Sequence, residues 1–168
     1  HSNLLPWQRL AQQKKAILRY LYPDASGSVS LTEAADKINP RTRIVAITHI
    51  SNVLGSVNPS KEIAALAHQV NAVILVDAAQ SAPHIPINVR DLDADFLVFS
   101  GHRMVAPAGI GVLYGKSSLL NSMPPMRLGG GIVERVSEQS VDYMDAPWKM
   151  EGGSLNTEGI IGLGAAID

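Results

Sequence analysis

Short apolar runs separated by amphipathic stretches set the plan of this chain. Residues 44 to 50 (Ile-Val-Ala-Ile-Thr-His-Ile), 74 to 76 and 96 to 99 are apolar, rich in β-branched or aromatic side chains, and each gives way to polar residues. Near-continuous apolar runs of this length are what strands buried on both faces require. Between the first two, Ser60 to about Asn71 places Ile63, Leu66, Ala67 and Val70 at the spacing of one helix face. Strand, helix, strand in this order predicts an α/β fold, a mostly parallel sheet covered by helices. Toward the amino end, residues 3 to 15 read as a helix with Asn3 and Pro6 near its start. Ala16 to Leu21 read as a strand and Leu31 to Ile38 as a second helix. Gly109 to Tyr114 read as a further strand, and the tight return at Pro107 and Gly109 lets it run antiparallel. After Pro124-Pro125 the pattern dissolves into an irregular stretch through Gly129-Gly130-Gly131 to Trp148, and a last helix begins near Thr157.

Composition narrows the function classes. With 168 residues, 46% of them hydrophobic, and a formal net charge of -1, the chain is globular, large enough for one core. It has no excess of charge for nucleic acid or an anionic membrane. Its apolar runs fall far short of the ~20 residues of a membrane-spanning helix. No charged-then-apolar leader opens the sequence, and a cytoplasmic location is the expectation. There is no cysteine, hence no disulfide, thiolate metal site or thiol nucleophile within these residues. The chain opens on His1 and closes on Ala-Ala-Ile-Asp inside a helix-like run, so both ends are expected to be cuts in a longer protein.

The chemistry concentrates where the strands stop. Val-Asp-Ala-Ala-Gln puts Asp77 at the carboxyl end of one strand, and Phe-Ser-Gly-His-Arg puts Ser100, His102 and Arg103 at the end of the next. Open α/β sheets bind ligands at that edge. Each residue also has an ordinary role: Asp77 as a helix N-cap, Ser100 to His102 as a turn, Asn52 as a turn former at its strand tip, and Ala79 and Gln80 as first-turn residues. His49, one step inside its strand, reads as a hydrogen-bonded structural histidine.

Taken together, Pro-Trp-Gln-Arg-Leu, Thr-His-Ile-Ser-Asn-Val-Leu-Gly, Val-Asp-Ala-Ala-Gln, Phe-Ser-Gly-His and Ile-Ile-Gly-Leu-Gly-Ala-Ala resemble the cysteine desulfurase and selenocysteine lyase family of the class-V aminotransferase group, on its SUF-type branch. The resemblance covers nearly the whole chain. It implies the central part of a three-layer αβα large domain that binds pyridoxal 5'-phosphate, with residues 1–168 a partial domain and the small C-terminal domain absent. By the same resemblance Asp77 pairs with the ring nitrogen, Ala79 lies under the ring, Gln80 meets the ring hydroxyl, Ser100 and His102 hold the phosphate, and Asn52 contacts cofactor and substrate carboxylate. Gly153 and Ser154 match positions that reach the partner's phosphate across a homodimer. His1 matches the second histidine of the family's Glu-His-His segment, and the ring-stacking histidine corresponds to the residue before it.

One position departs from the pattern. Where the family has the lysine that carries the cofactor as a Schiff base, this chain has Arg103. A guanidinium is permanently protonated and has no amine lone pair to attack an aldehyde. The resemblance therefore implies a piece of a desulfurase, acting on L-cysteine or L-selenocysteine and passing sulfur to an acceptor protein, that is itself inactive. The alternative is a degenerate relative kept as a cofactor-binding or dimerisation module. An α/β binding domain without a cofactor is a third, weaker alternative.

Overall fold

The computed structural model describes residues 1–168. Strands Ile44–Thr48 (β1), Val73–Asp77 (β2), Phe96–Ser100 (β3) and Gly111–Gly115 (β4) form one sheet in the order β1-β2-β3-β4. β1, β2 and β3 are parallel; β4 returns antiparallel to β3, as the Pro107–Gly109 return allows. The register aligns Val45 with Ile74, Ile47 with Val76, and Val76 with Leu97. Alternation then puts these five apolar side chains on one face. Helix Ser60–Gln69 (α3) covers that face with Ile63, Ala64 and Ala67, all fully buried. The two alanines let the helix approach closely, and burying a side chain such as Ile63, Ile74 or Val76 contributes about 2–3 kcal/mol each.

The amino-terminal helix spans Leu5–Lys14 (α1) and stops at Lys15 in the left-handed region. Asn3 donates to Thr48 Oγ1 and accepts from the Trp7 indole, tying the helix start to the end of β1. The strand expected at Ala16 to Leu21 does not form. Those residues are irregular, and Ile17 is 78% exposed. An apolar run becomes a strand only by pairing, and no strand of this chain pairs with it. The free side of β1 opens instead on a cleft of about 930 Å³ lined by α1, residues 16 to 21 and β1. Helix Leu31–Lys37 (α2) begins with a Ser-x-x-Glu pattern in which Ser30 accepts from the Glu33 amide.

Beyond β4 lie a short helix Ser117–Ser122 (α4), a hairpin of Val133–Val136 (β5) and Val141–Tyr143 (β6), and the helix Thr157–Ile167 (α5). The hairpin falls in the stretch read as irregular, because exposed strands of four and three residues carry too little apolar alternation to stand out. Asn156 caps α5 by accepting from Gly159. α5 packs on the turn that follows β3, where a Cβ on Gly162 would lie 2.5 Å from Pro107.

At the amino ends of β2 and β3, four polar side chains lock the layers together. Asp95 is buried; its Oδ2 accepts from the Ile74 amide at 2.9 Å and faces His68 Nε2 at 3.0 Å, while its Oδ1 accepts from Lys116 at 2.8 Å. Asp93 meets the same lysine at 2.8 Å and the other ring nitrogen of His68 at 3.0 Å. The hydrogen bond from Lys116 is the main force holding Asp93 below the ordinary carboxylate range. At Asp95 burial pushes upward, and the hydrogen bonds from Lys116, the Ile74 amide and His68 outweigh it. The Lys116 ammonium is correspondingly raised, its burial overcome by the two aspartates.

Two predictions follow from this framework. Both carboxylates give up their protons more readily in the folded state, so the network stabilises the fold above the ordinary carboxylate pKa of about 4 and loses that contribution as pH falls through the depressed folded values. Lys116→Met should cost roughly 1–2 kcal/mol at neutral pH, less than a fully buried broken pair because the lysine reaches solvent. It should also flatten the acid side of the stability curve, read by thermal melts from pH 7 downward; superimposable curves would contradict the network's role. Separately, Val105 holds φ 63° with its side chain 95% exposed, so nothing packs against it to offset the left-handed backbone. Val105→Gly should stabilise by about 0.5–1 kcal/mol in a denaturant titration; a loss would contradict the turn conformation.

Candidate functional site

The site is built by strands that end side by side. Thr48 pairs with Asp77 and Asp77 with Val98, so the carboxyl end of β2 is flanked on both sides by pairing strands. The backbone there is fully engaged: His49 donates to the Asp77 carbonyl at 2.9 Å, and Ala78 donates to the Val98 carbonyl at 2.8 Å. Val76 and Ala78 belong to the core beneath α3, and alternation turns the Asp77 side chain to the opposite face with Thr48 and Val98. The carboxylate is half-buried. Its Oδ1 accepts from the Ala79 amide at 3.0 Å, which leaves Oδ2 for a ligand. Asp77 thus closes a turn over residues 77 to 79, and no helix follows it. Ala79 and Gln80 lie half-buried in that turn, where the Gln80 carbonyl accepts from His84 Nδ1 and its side-chain amide stays available.

The neighbouring edge comes from β3. Ser100 pairs with Gly111, and the chain then enters a 3-10 turn, Gly101–Met104, that displays His102 and Arg103 to solvent. Gly101 is required there: it donates to the Ile110 carbonyl at 2.9 Å, and a Cβ would sit 2.8 Å from the Ile110 side chain. Ala106 donates back to Gly101 and closes the turn. Every ion pair of the chain lies elsewhere, so the Arg103 guanidinium has no carboxylate partner. Permanently charged and solvent-facing, it is suited to an anion.

Asn52 stands in the exposed turn after β1 and lines the cleft on the free side of that strand. His49 differs from expectation. It is buried at 8% exposure on the α3 side of the sheet, the face opposite Asp77, but its Nδ1 has no hydrogen-bond partner. Burial pushes its pKa below the ordinary histidine value and favours the neutral ring. Gly153 and Ser154 are exposed and lie before α5, with Gly153 at φ 98° donating to the Gly130 carbonyl. No hydrogen bond joins them to Asp77 or Arg103. Asp77, Ala79, Gln80, Ser100, His102 and Arg103 therefore share one edge of β2 and β3; Asn52 lies in the loop that leaves β1 at the same end of the sheet, and Gly153 and Ser154 lie in the segment before α5. Two contributors escaped the sequence reading. Thr48 is the register neighbour of Asp77, and Asn58 holds the base of the Asn52 loop through its bond to the Thr48 carbonyl; neither role has a signal in the local sequence.

The sequence profile of the aminotransferase class-V family matches residues 1–168. A protein described as a probable cysteine desulfurase from Halalkalibacterium halodurans is 49% identical over 168 residues, covering 100% of this chain and 41% of that protein. A cysteine desulfurase from Yersinia pseudotuberculosis is 50% identical over 169 residues, again across 100% of this chain and 42% of the relative. The crystal structure of the cysteine desulfurase CsdA from Escherichia coli superposes with a TM-score of 0.96 at 43% identity, covering 99% of this chain and 42% of that one. The chain thus spans 41% and 42% of the lengths of these two curated relatives. With a mostly parallel sheet whose strand ends carry the polar residues, and with cysteine desulfurases similar to it along its whole length, this chain belongs to the aminotransferase class-V family.

Proposed function

We propose that this chain is the floor of a pyridoxal 5'-phosphate site in the large domain of a cysteine desulfurase, in a form that holds the cofactor without a covalent bond. The observation that carries the reading is the pairing of two features on adjacent strand ends. A half-buried Asp77 has one carboxylate oxygen free, and an exposed Arg103 guanidinium has no acidic partner. That donor set fits a cofactor with a protonated ring nitrogen at one end and a phosphate at the other. It does not fit covalent capture at residue 103.

When bound, such a cofactor supplies an electron sink for negative charge at the substrate carbon. In this reading the Asp77 carboxylate pairs with the ring nitrogen and keeps it protonated. The small side chain of Ala79 leaves room for a ring face, Gln80 donates to the ring hydroxyl, and Ser100, His102 and Arg103 hold the phosphate. Asn52 meets cofactor and substrate carboxylate from the loop after β1. The whole protein would convert L-cysteine to alanine and pass the sulfur through a thiolate outside these residues to an acceptor protein that supplies iron-sulfur assembly, or convert L-selenocysteine to alanine with release of its selenium. It would act as a homodimer whose Gly153 and Ser154 reach the partner's phosphate. No helix is long and apolar enough to cross a membrane, in keeping with a cytoplasmic assignment. Residues 1–168 are then part of the large domain, the small C-terminal domain lying outside them. Arg103 favours one second reading, a relative that keeps the site as a binding or dimerisation module and performs no desulfuration.

An absorbance titration with pyridoxal 5'-phosphate tests the floor. Reversible binding should appear, and Asp77→Asn should weaken it roughly ten- to a hundredfold, the worth of one hydrogen bond to a charged group; equal affinity of the two proteins would remove Asp77 from the site. Light scattering at rising concentration should show a dimer, and a monomer throughout would contradict the shared-site assembly.

A further inference from the structure

We infer that Asn58 is the positioning residue that sets the loop bearing Asn52. After β1 the chain makes an excursion, residues 50 to 57, that leaves at Ile50 and returns at Val57 through an isolated antiparallel bridge. Asn58 closes its base from both ends. Its amide nitrogen Nδ2 donates to the Thr48 carbonyl at 2.7 Å, and its backbone N–H donates to the His49 carbonyl at 2.8 Å. The carboxamide oxygen accepts from the Val29 amide at 2.8 Å and from Ser28 Oγ at 3.3 Å. At 8% exposure, Asn58 spends its donor and its acceptor on two segments distant in sequence.

Little else fixes the loop. Within it the Ser51 hydroxyl accepts from the Val53 and Leu54 amides, the Ser51 N–H donates to the Ser56 carbonyl, the Gly55 N–H donates to the Ser51 carbonyl, and Ser56 Oγ donates to the Gly27 carbonyl. The side chains of Val53 and Leu54 are 82% and 61% exposed, so little apolar surface pins the turn; Leu54 rests on Gly27, where a Cβ would lie 2.8 Å from its Cδ1. The position of Asn52 therefore depends on polar anchors at the base and at the 27–29 segment. Asn58 bridges the two through both ends of its carboxamide, beside a single bond from the Ser28 hydroxyl to the Val57 carbonyl at 3.0 Å. Through Thr48 it also reaches the register neighbour of Asp77. Asn58 touches no ligand in this arrangement; it acts through Asn52.

Asn58→Asp keeps the size and the acceptor but deletes the donor to Thr48 and sets a carboxylate against that carbonyl. Hydrogen exchange read by mass spectrometry should quicken by about tenfold, the worth of one lost bond, in peptides covering residues 50 to 57, while β2 and β3 stay unchanged. Unchanged exchange in the loop, or equal acceleration throughout the sheet, would overturn the inference. If Asn58→Asp does not fold, Asn58→Ser, which withdraws the carboxamide from both Thr48 and Val29 without adding a charge, should give the same local acceleration; no change there would equally overturn it. The link from loop to ligand rests on the proposed cofactor site. Asn58→Asp should weaken pyridoxal 5'-phosphate binding about tenfold in the unaltered chain and have no further effect in an Asn52→Ala background. Additive losses would show that Asn58 does not act through Asn52. Absence of cofactor binding by the unaltered chain would defeat the site reading, and the exchange comparison would still decide the role of Asn58.

Discussion

The parallel pairing of β1, β2 and β3 is the constraint on which the rest depends. It brings three strand ends to one edge and engages the backbone around Asp77, so the carboxylate is presented by a rigid support. Strand alternation then divides the residues by face. Val45, Ile47, Ile74, Val76 and Leu97 go to the core with α3, while Thr48, Asp77 and Val98 go to the other side. A slip of one residue between β1 and β2 would exchange the two sets. Core and site are thus consequences of one register.

The two ends of the sheet are treated differently. At the amino ends, Asp95, Asp93, Lys116 and His68 satisfy one another and bind α3 to three strands. At the carboxyl ends the polar groups are left open: Asp77 has a free oxygen and Arg103 has no ion-pair partner, and the backbone just past Arg103 carries the left-handed Val105. Satisfied charge stiffens a fold, whereas unsatisfied charge and local strain at a strand edge are features of binding sites. That asymmetry points to the same edge as the resemblance.

The sequence made the strands of the sheet legible because buried parallel strands have to be nearly continuous apolar runs, and β1, β2 and β3 are such runs. It also placed the antiparallel β4, through Pro107 and Gly109, and the start of α5 near Thr157. It failed where apolar character was not matched by a partner, as at residues 16 to 21, and where short exposed strands carried no pattern, as in β5 and β6. The placement of Asp77, Ser100, His102 and Arg103 at or just past strand ends was legible because apolar runs precede them. Asn58, Thr48 and the aspartate network could not, since their roles are set by register and by contacts between distant segments. His49 shows the opposite failing: burial was legible, but its missing hydrogen-bond partner was not.

In the function we propose, the edge formed by β2 and β3 is an intact cofactor floor in which residue 103 alone forbids a covalent bond. The most direct measurement is borohydride trapping with pyridoxal 5'-phosphate, followed by intact-mass and peptide analysis, on this chain and its Arg103→Lys variant. We expect one reduced cofactor at residue 103 of the variant and none at that position in the unaltered chain. An Arg103→Lys variant that gains no adduct at residue 103 would contradict the proposal, because an amine placed at that strand end would then have no aldehyde held within reach.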